Sequence, residues 1–173
     1  MRHQSFIACA VLLLPLAMGV GPVSAQTPLA PGDRDFVLQA AQNGEAEIEA
    51  SRVAVDKGVN TQVKGFAQQM VDEHTAANEQ LKALASAKGV ALPDSLSARE
   101  KVRLEMLSGS DGGAFDRRYA AAWGVGAHER NVSLFQKAAS GARDPDVKAY
   151  AAKFAPVLAH HLEMARALKG VVD

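Results

Sequence analysis

The stretch Thr61–Gly89, TQVKGFAQQMVDEHTAANEQLKALASAKG, decides the fold class. Val63, Phe66, Met70, His74, Ala77, Leu81 and Leu84 recur at steps of three and four, which places them on one face of a long helix. Gly89 supplies a C-terminal stop. A helix with one apolar stripe must bury that stripe against other helices or a sheet.

Reading outward, the same period returns three times. Asp33 is a candidate N-cap for a first helix running to about Lys57, with Phe36, Ala40, Gly44, Glu47, Ser51 and Ala54 on its stripe. A third helix, about Ala114–Ser140, carries Ala121, Val125, His128, Val132, Phe135 and Ala139. Gly124 and Gly126 weaken it locally and imply a close neighbour there. Asp144-Pro145 opens a fourth helix, with Asp as N-cap and Pro in the first turn. Its stripe is Val147, Ala151, Phe154, Leu158, His161, Ala165 and Leu168; Pro156 predicts a bend and Gly170 an end.

Helices one and two are joined by a short link, as are three and four. Residues 89–111 form a long connection that contains Pro93 and a short amphipathic piece, Ser97–Leu107, opened by a Ser97/Glu100 capping box. Short links make antiparallel neighbours, and one long link crosses the bundle. The expected fold is therefore all-α: a ferritin-like four-helix bundle over residues 33–170 with a long crossover between helices two and three.

Composition agrees. Aromatics are 5% of the 173 residues, hydrophobics 48% and charged residues 22%, which favours close-packed helices over a β-sandwich. Lys plus Arg is 19 and Asp plus Glu is 19. A nucleic-acid-binding surface needs a basic excess that this chain lacks.

Residues 1–25 read as a signal peptide: Arg2 and His3, the apolar run Phe6–Val20, then the small residues Val23-Ser24-Ala25. Cleavage is expected after Ala25, with residues 26–32 as a linker; the run is shorter than the ~20 residues a bilayer span needs, and a retained anchor is the alternative. Cys9 lies inside the run, so a chain starting at Gln26 has no cysteine and no thiolate metal site. The expected location is the periplasm or envelope of a bacterium.

Several pieces also carry a resemblance. They are Asn43-Gly44-Glu45-Ala46-Glu47 in the first helix, with Val63-Lys64-Gly65-Phe66-Ala67 and Met70-Val71-Asp72-Glu73-His74-Thr75 in the second. Phe115-Asp116, Tyr119 and His128 follow in the third, then Ala155-Pro156-Val157-Leu158 and His161-Leu162 in the fourth. In order and spacing they resemble the exported bacterial ferritin-like bundles catalogued as a domain of unknown function and often labelled outer-membrane proteins. The resemblance spans about residues 33–169. It implies a ferritin-like bundle in the bacterial envelope and no established activity.

The chemistry lies in four residues. His74, His128 and His161 fall on the stripes of three helices, and Glu47 on the stripe of the fourth. If the stripes share one axis, three imidazoles and a carboxylate converge, a donor set suited to Zn, Cu or Fe. The alternative is a metal-free hydrogen-bonded network. A carboxylate di-iron site is disfavoured, because Val71, Val125 and Leu158 stand where a Glu three before each His would be needed. Asp72, Glu73 and Glu129 adjoin the histidines but are expected on solvated faces. Met70 and Met164 read as core filler, with soft copper ligation as their alternative role. His160 is at a stripe edge, and Phe115, Tyr119 and Trp123 read as packing. No linear catalytic motif occurs. The leading expectation is a non-enzymatic exported bundle; the alternative is a mononuclear metal-dependent redox or hydrolytic enzyme. A protein partner or a second copy of the chain stays open.

Overall fold

A computed structural model of the chain describes residues 28–173. The expected signal peptide therefore lies outside the described residues. The helices are α1 (Pro31–Lys57), α2 (Thr61–Ala87), α3 (Ala98–Ser108), α4 (Gly112–Tyr119), α5 (Gly126–Gly141) and α6 (Pro145–Val172), with a π-helical segment, Ala120–Val125, fusing α4 to α5. The four long elements are thus α1, α2, the α4–α5 rod and α6, and no strand occurs among the described residues. No described helix is long and apolar enough to cross a membrane.

The connectivity is the expected crossover. α1 packs along α2, and α5 along α6; the bundle closes through α1 against α5 and α2 against α6. Lys88, just past α2, pairs with Asp144 and Asp146 at the start of α6 (2.8 and 2.6 Å). At the opposite end, Asp116 of α4 accepts hydrogen bonds from the backbone N–H groups of Val59 and Asn60 in the α1–α2 turn. Residues 88–111 must therefore run the length of the bundle. On the way Gln42 of α1 holds them, donating to the Ser95 carbonyl and accepting from the Ser97 N–H, both at 2.8 Å. α3 then buries Leu107 completely against the core.

Three details differ from the sequence reading. α1 begins at Pro31, inside the expected linker, because a proline in the first turn costs no hydrogen bond. Asp33 is consequently not its N-cap; its carboxylate accepts from the Arg143 and Asp144 N–H groups and ties α1 to the α5–α6 turn. Only half of the capping box forms, since Ser97 accepts from the Glu100 N–H while the Glu100 carboxylate turns to Arg103. The third helix is one continuous rod but contains the π segment, where the Gly126 N–H reaches back five residues to the Ala121 carbonyl.

The core has two apolar halves. One gathers Ala46, Ala50, Ala54, Phe66, Met70, Phe115, Tyr119, Trp123, Ala165 and Leu168. The other gathers Phe36, Ala40, Leu81, Phe135, Val147, Tyr150 and Leu158. Each long element passes from one half to the other, and at that passage each carries a buried polar residue: Glu47, His74, His128 and His161.

Candidate metal centre

The four residues expected from helical phase lie in this layer, where the three imidazoles converge and Glu47 reaches two of them, His74 and His128. Each is 1–6% exposed. One ring nitrogen from each of His74, His128 and His161 lies within 4.8 Å of the others. Glu47 Oε2 is 3.1 Å from His74 Nε2 and 3.5 Å from His128 Nε2. The two Nε2 atoms are 3.4 Å apart.

The partners of the outer ring nitrogens define the chemistry. His128 Nδ1 lies 2.7 Å from the Gly124 carbonyl and 3.3 Å from that of Trp123. A carbonyl only accepts, so Nδ1 carries the proton and Nε2 presents a lone pair. The Gly124 carbonyl lies four residues before His128, at the C-terminal end of the π segment. His161 is held in the same manner from outside: Nε2 lies 2.7 Å from Glu73 Oε2, so Nε2 donates and Nδ1 is left as the lone pair. That Nδ1 is buried and has no hydrogen-bond partner.

Glu47 is arranged similarly. Its Oε1 accepts from Asn131 Nδ2 at 2.5 Å, and Asn131 Oδ1 in turn accepts from Asn43 at 2.6 Å. Its Oε2 is buried and meets no donor in hydrogen-bonding geometry, although His74 Nε2 is only 3.1 Å away. Because His128 Nε2 is a lone pair, its 3.4 Å contact is donated by the His74 Nε2–H, which points at His128 and passes Glu47 Oε2 at 3.1 Å without aligning on it.

Burial sets the titration of the cluster. Desolvation pushes the Glu47 carboxyl above its usual range, against the opposing field of His128 and Arg130. Desolvation, reinforced by His128 and His161, holds His74 well below the ordinary imidazole value. His161 is lowered by burial, against the raising effect of its bond to Glu73. At neutral pH these two imidazoles are thus uncharged, the form that ligates a metal.

The sequence reading missed three contributors. Glu73 was expected on a solvated face; its side chain is 41% exposed, yet it leans across the α2–α6 seam to reach His161. The 100° step from His74 points it toward that seam, which helical phase alone does not locate. Asn131 and Asn43 were also passed over; Asn131 sits one turn after His128 and is 3% exposed. His160 is exposed, and Met70 is buried in the apolar core, with Met164 packed against it.

The fold has solved counterparts at low identity. A DUF305 fragment from Deinococcus radiodurans superposes with a TM-score of 0.71, at 16% identity over 84% of this chain and 98% of that one. A candidate spore coat protein from Bacillus halodurans gives 0.68, at 16% identity over 83% and 89%. CopM in its Cu(I)-bound form gives 0.64, at 13% identity over 78% and 92%. At such identities the likeness concerns the fold. No curated protein matches the chain. The family model described as a domain of unknown function, DUF4142, matches residues 19–168, and the chain belongs to that family.

Proposed function

We propose that this protein is an exported metal-binding bundle of the bacterial envelope, in which Glu47, His74, His128 and His161 hold one ion of Zn, Cu or Fe. The observation that carries the reading is the orientation of the donors. His128 and His161 each spend their N–H on an acceptor outside the cluster, and Glu47 Oε2 and His161 Nδ1 are buried without a hydrogen bond. A purely structural network would pair those atoms with each other, since each costs about 1–3 kcal/mol when buried unpaired. A cation among the three imidazoles takes the His161 Nδ1 lone pair and gives Glu47 Oε2, which lies beside two of them, a counter-charge. The second contacts, Glu73 to His161 and Asn131 to Glu47, are those that orient metal ligands. The Cu(I)-bound state of CopM shows one copper-holding protein of similar fold and makes copper a first candidate.

Export rests on the apolar run Phe6–Val20 followed by Val23-Ser24-Ala25. Mass spectrometry of the protein from its native compartment is expected to find a chain starting at Gln26; a chain retaining residues 1–25 contradicts cleavage.

Metal binding is tested by stripping the protein and titrating it with Zn(II), Cu(II) and Fe(II) under native mass spectrometry. One equivalent of at least one metal is expected to be retained, and lost in His74→Ala and His128→Ala. A folded protein that retains none of the three overturns the reading.

A further inference from the structure

Beside the polar layer lies a small cavity of about 30 Å³, bordered by Glu73, His74, His161, Asn78, Phe135 and Tyr150. Neither Glu47 nor His128 borders it, so it adjoins the layer from the His74–His161 side only. One water needs roughly 10–15 Å³ of such space and two to four polar partners. The cavity therefore admits one or two heavy atoms and nothing larger. Its far wall is aromatic and aliphatic, from Phe135, Phe154 and Leu158.

Asn78 stands between this cavity and the surface on the α1–α2 side, while half-exposed Glu73 borders it at the α2–α6 seam. It borders the cavity and also a groove of about 620 Å³ between α1, α2 and the crossover. Its amide occupies space that only a glycine leaves free: a Cβ on Gly44 would stand 2.3 Å from Asn78 Oδ1. The amide is thus a small polar wall of the cavity on the α1–α2 side, held by contact with a bare backbone.

Building on the metal reading above, we propose that the cavity is a binding site for an exchangeable ligand of the metal. The ligand is a lone-pair donor of one or two heavy atoms, water or a diatomic of the size of dioxygen, that reaches the ion through the cavity between Asn78 and Glu73. Three imidazoles converge, Glu47 reaches only His74 and His128, and the cavity borders the His74–His161 side that Glu47 leaves uncovered; a position left to a small ligand is what distinguishes a reactive metal site from a purely structural one.

The test uses the full chain loaded with Co(II), with nitric oxide as the probe. Metal content is measured first. Nitric oxide is expected to alter the visible and EPR spectra of the loaded protein. Ala40→Val and Ala77→Val, which add methyl groups at two separate positions of the cavity wall, are expected to keep Co(II) while weakening the nitric oxide response by at least about tenfold. Either variant decides the matter if the other fails to fold. A fully loaded protein blind to nitric oxide, or filled variants that respond as the parent does, overturns the proposal. Failure to take up Co(II), Zn(II) or Cu(II) overturns the metal reading itself, and the cavity proposal with it.

Discussion

Glu73 is separated from the metal candidates by one hydrogen bond, and its contribution can be read apart from theirs. Glu73→Leu removes the acceptor that holds His161 Nε2–H and is expected to weaken metal binding by about 10–100-fold in a competition titration. Glu73→Gln keeps an acceptor and is expected to lose less. Equal affinity in all three proteins would show that His161 needs no such anchor. Gly44 gives a stability test at the same scale. Alanine there improves helix propensity by about 1 kcal/mol but drives a Cβ to 2.3 Å from Asn78. The clash is expected to win, with a net loss of about 1–3 kcal/mol in chemical denaturation. Helical phase was enough to place Glu47, His74, His128 and His161 in the buried layer, because each sits on a stripe made mostly of apolar residues. It could not select Glu73, whose role depends on where α6 lies, or Asn131, which looks like an ordinary polar flank until Glu47 is opposite it.

Among the elements, the π segment Ala120–Val125 has the most specific consequence. A π turn is one extra residue in an α-helix, so removing one restores regular hydrogen bonding and leaves the flanking faces in register. Deleting exposed Ala122 is expected to preserve helical circular dichroism and the core, while taking the Gly124 carbonyl away from His128 Nδ1 and sharply reducing metal uptake. Unchanged uptake in a folded deletion variant would show that the segment has no bearing on the site. Gly124 and Gly126 marked this place in the sequence as weak helix, and Gly124 indeed faces a close neighbour, since a Cβ there would meet the Ala165 Cβ at 3.2 Å. The change of hydrogen-bond ladder itself has no residue signature of that kind. The crossover, by contrast, was legible from loop length alone: the 23 residues from Gly89 through Asp111 suit a traverse of the bundle better than a turn.

For the whole molecule, the polar layer links stability to pH and to metal. His74 and His161 are held below the ordinary imidazole value of about 6.5, so below that pH the unfolded chain binds more protons than the folded one. The metal-free protein is therefore expected to lose thermal stability as pH falls from about 7 to about 5.5. Glu47 acts in the opposite sense, because its raised value makes the folded chain take up a proton first. Glu47→Gln should thus make the acid loss steeper, and a flat profile in both proteins would contradict the buried neutral imidazoles. Metal at 100 times its Kd should add about 2.7 kcal/mol, or roughly 5–10 °C in Tm for a chain of this size. The measurement that tests the central claim most directly is anomalous diffraction from crystals grown with the metal that titrates. The account requires a peak enclosed by Glu47, His74, His128 and His161, ~2.0–2.2 Å from their donor atoms. A metal found only at the exposed Glu73 and His160, with the core layer closed by hydrogen bonds among its own side chains, would contradict it.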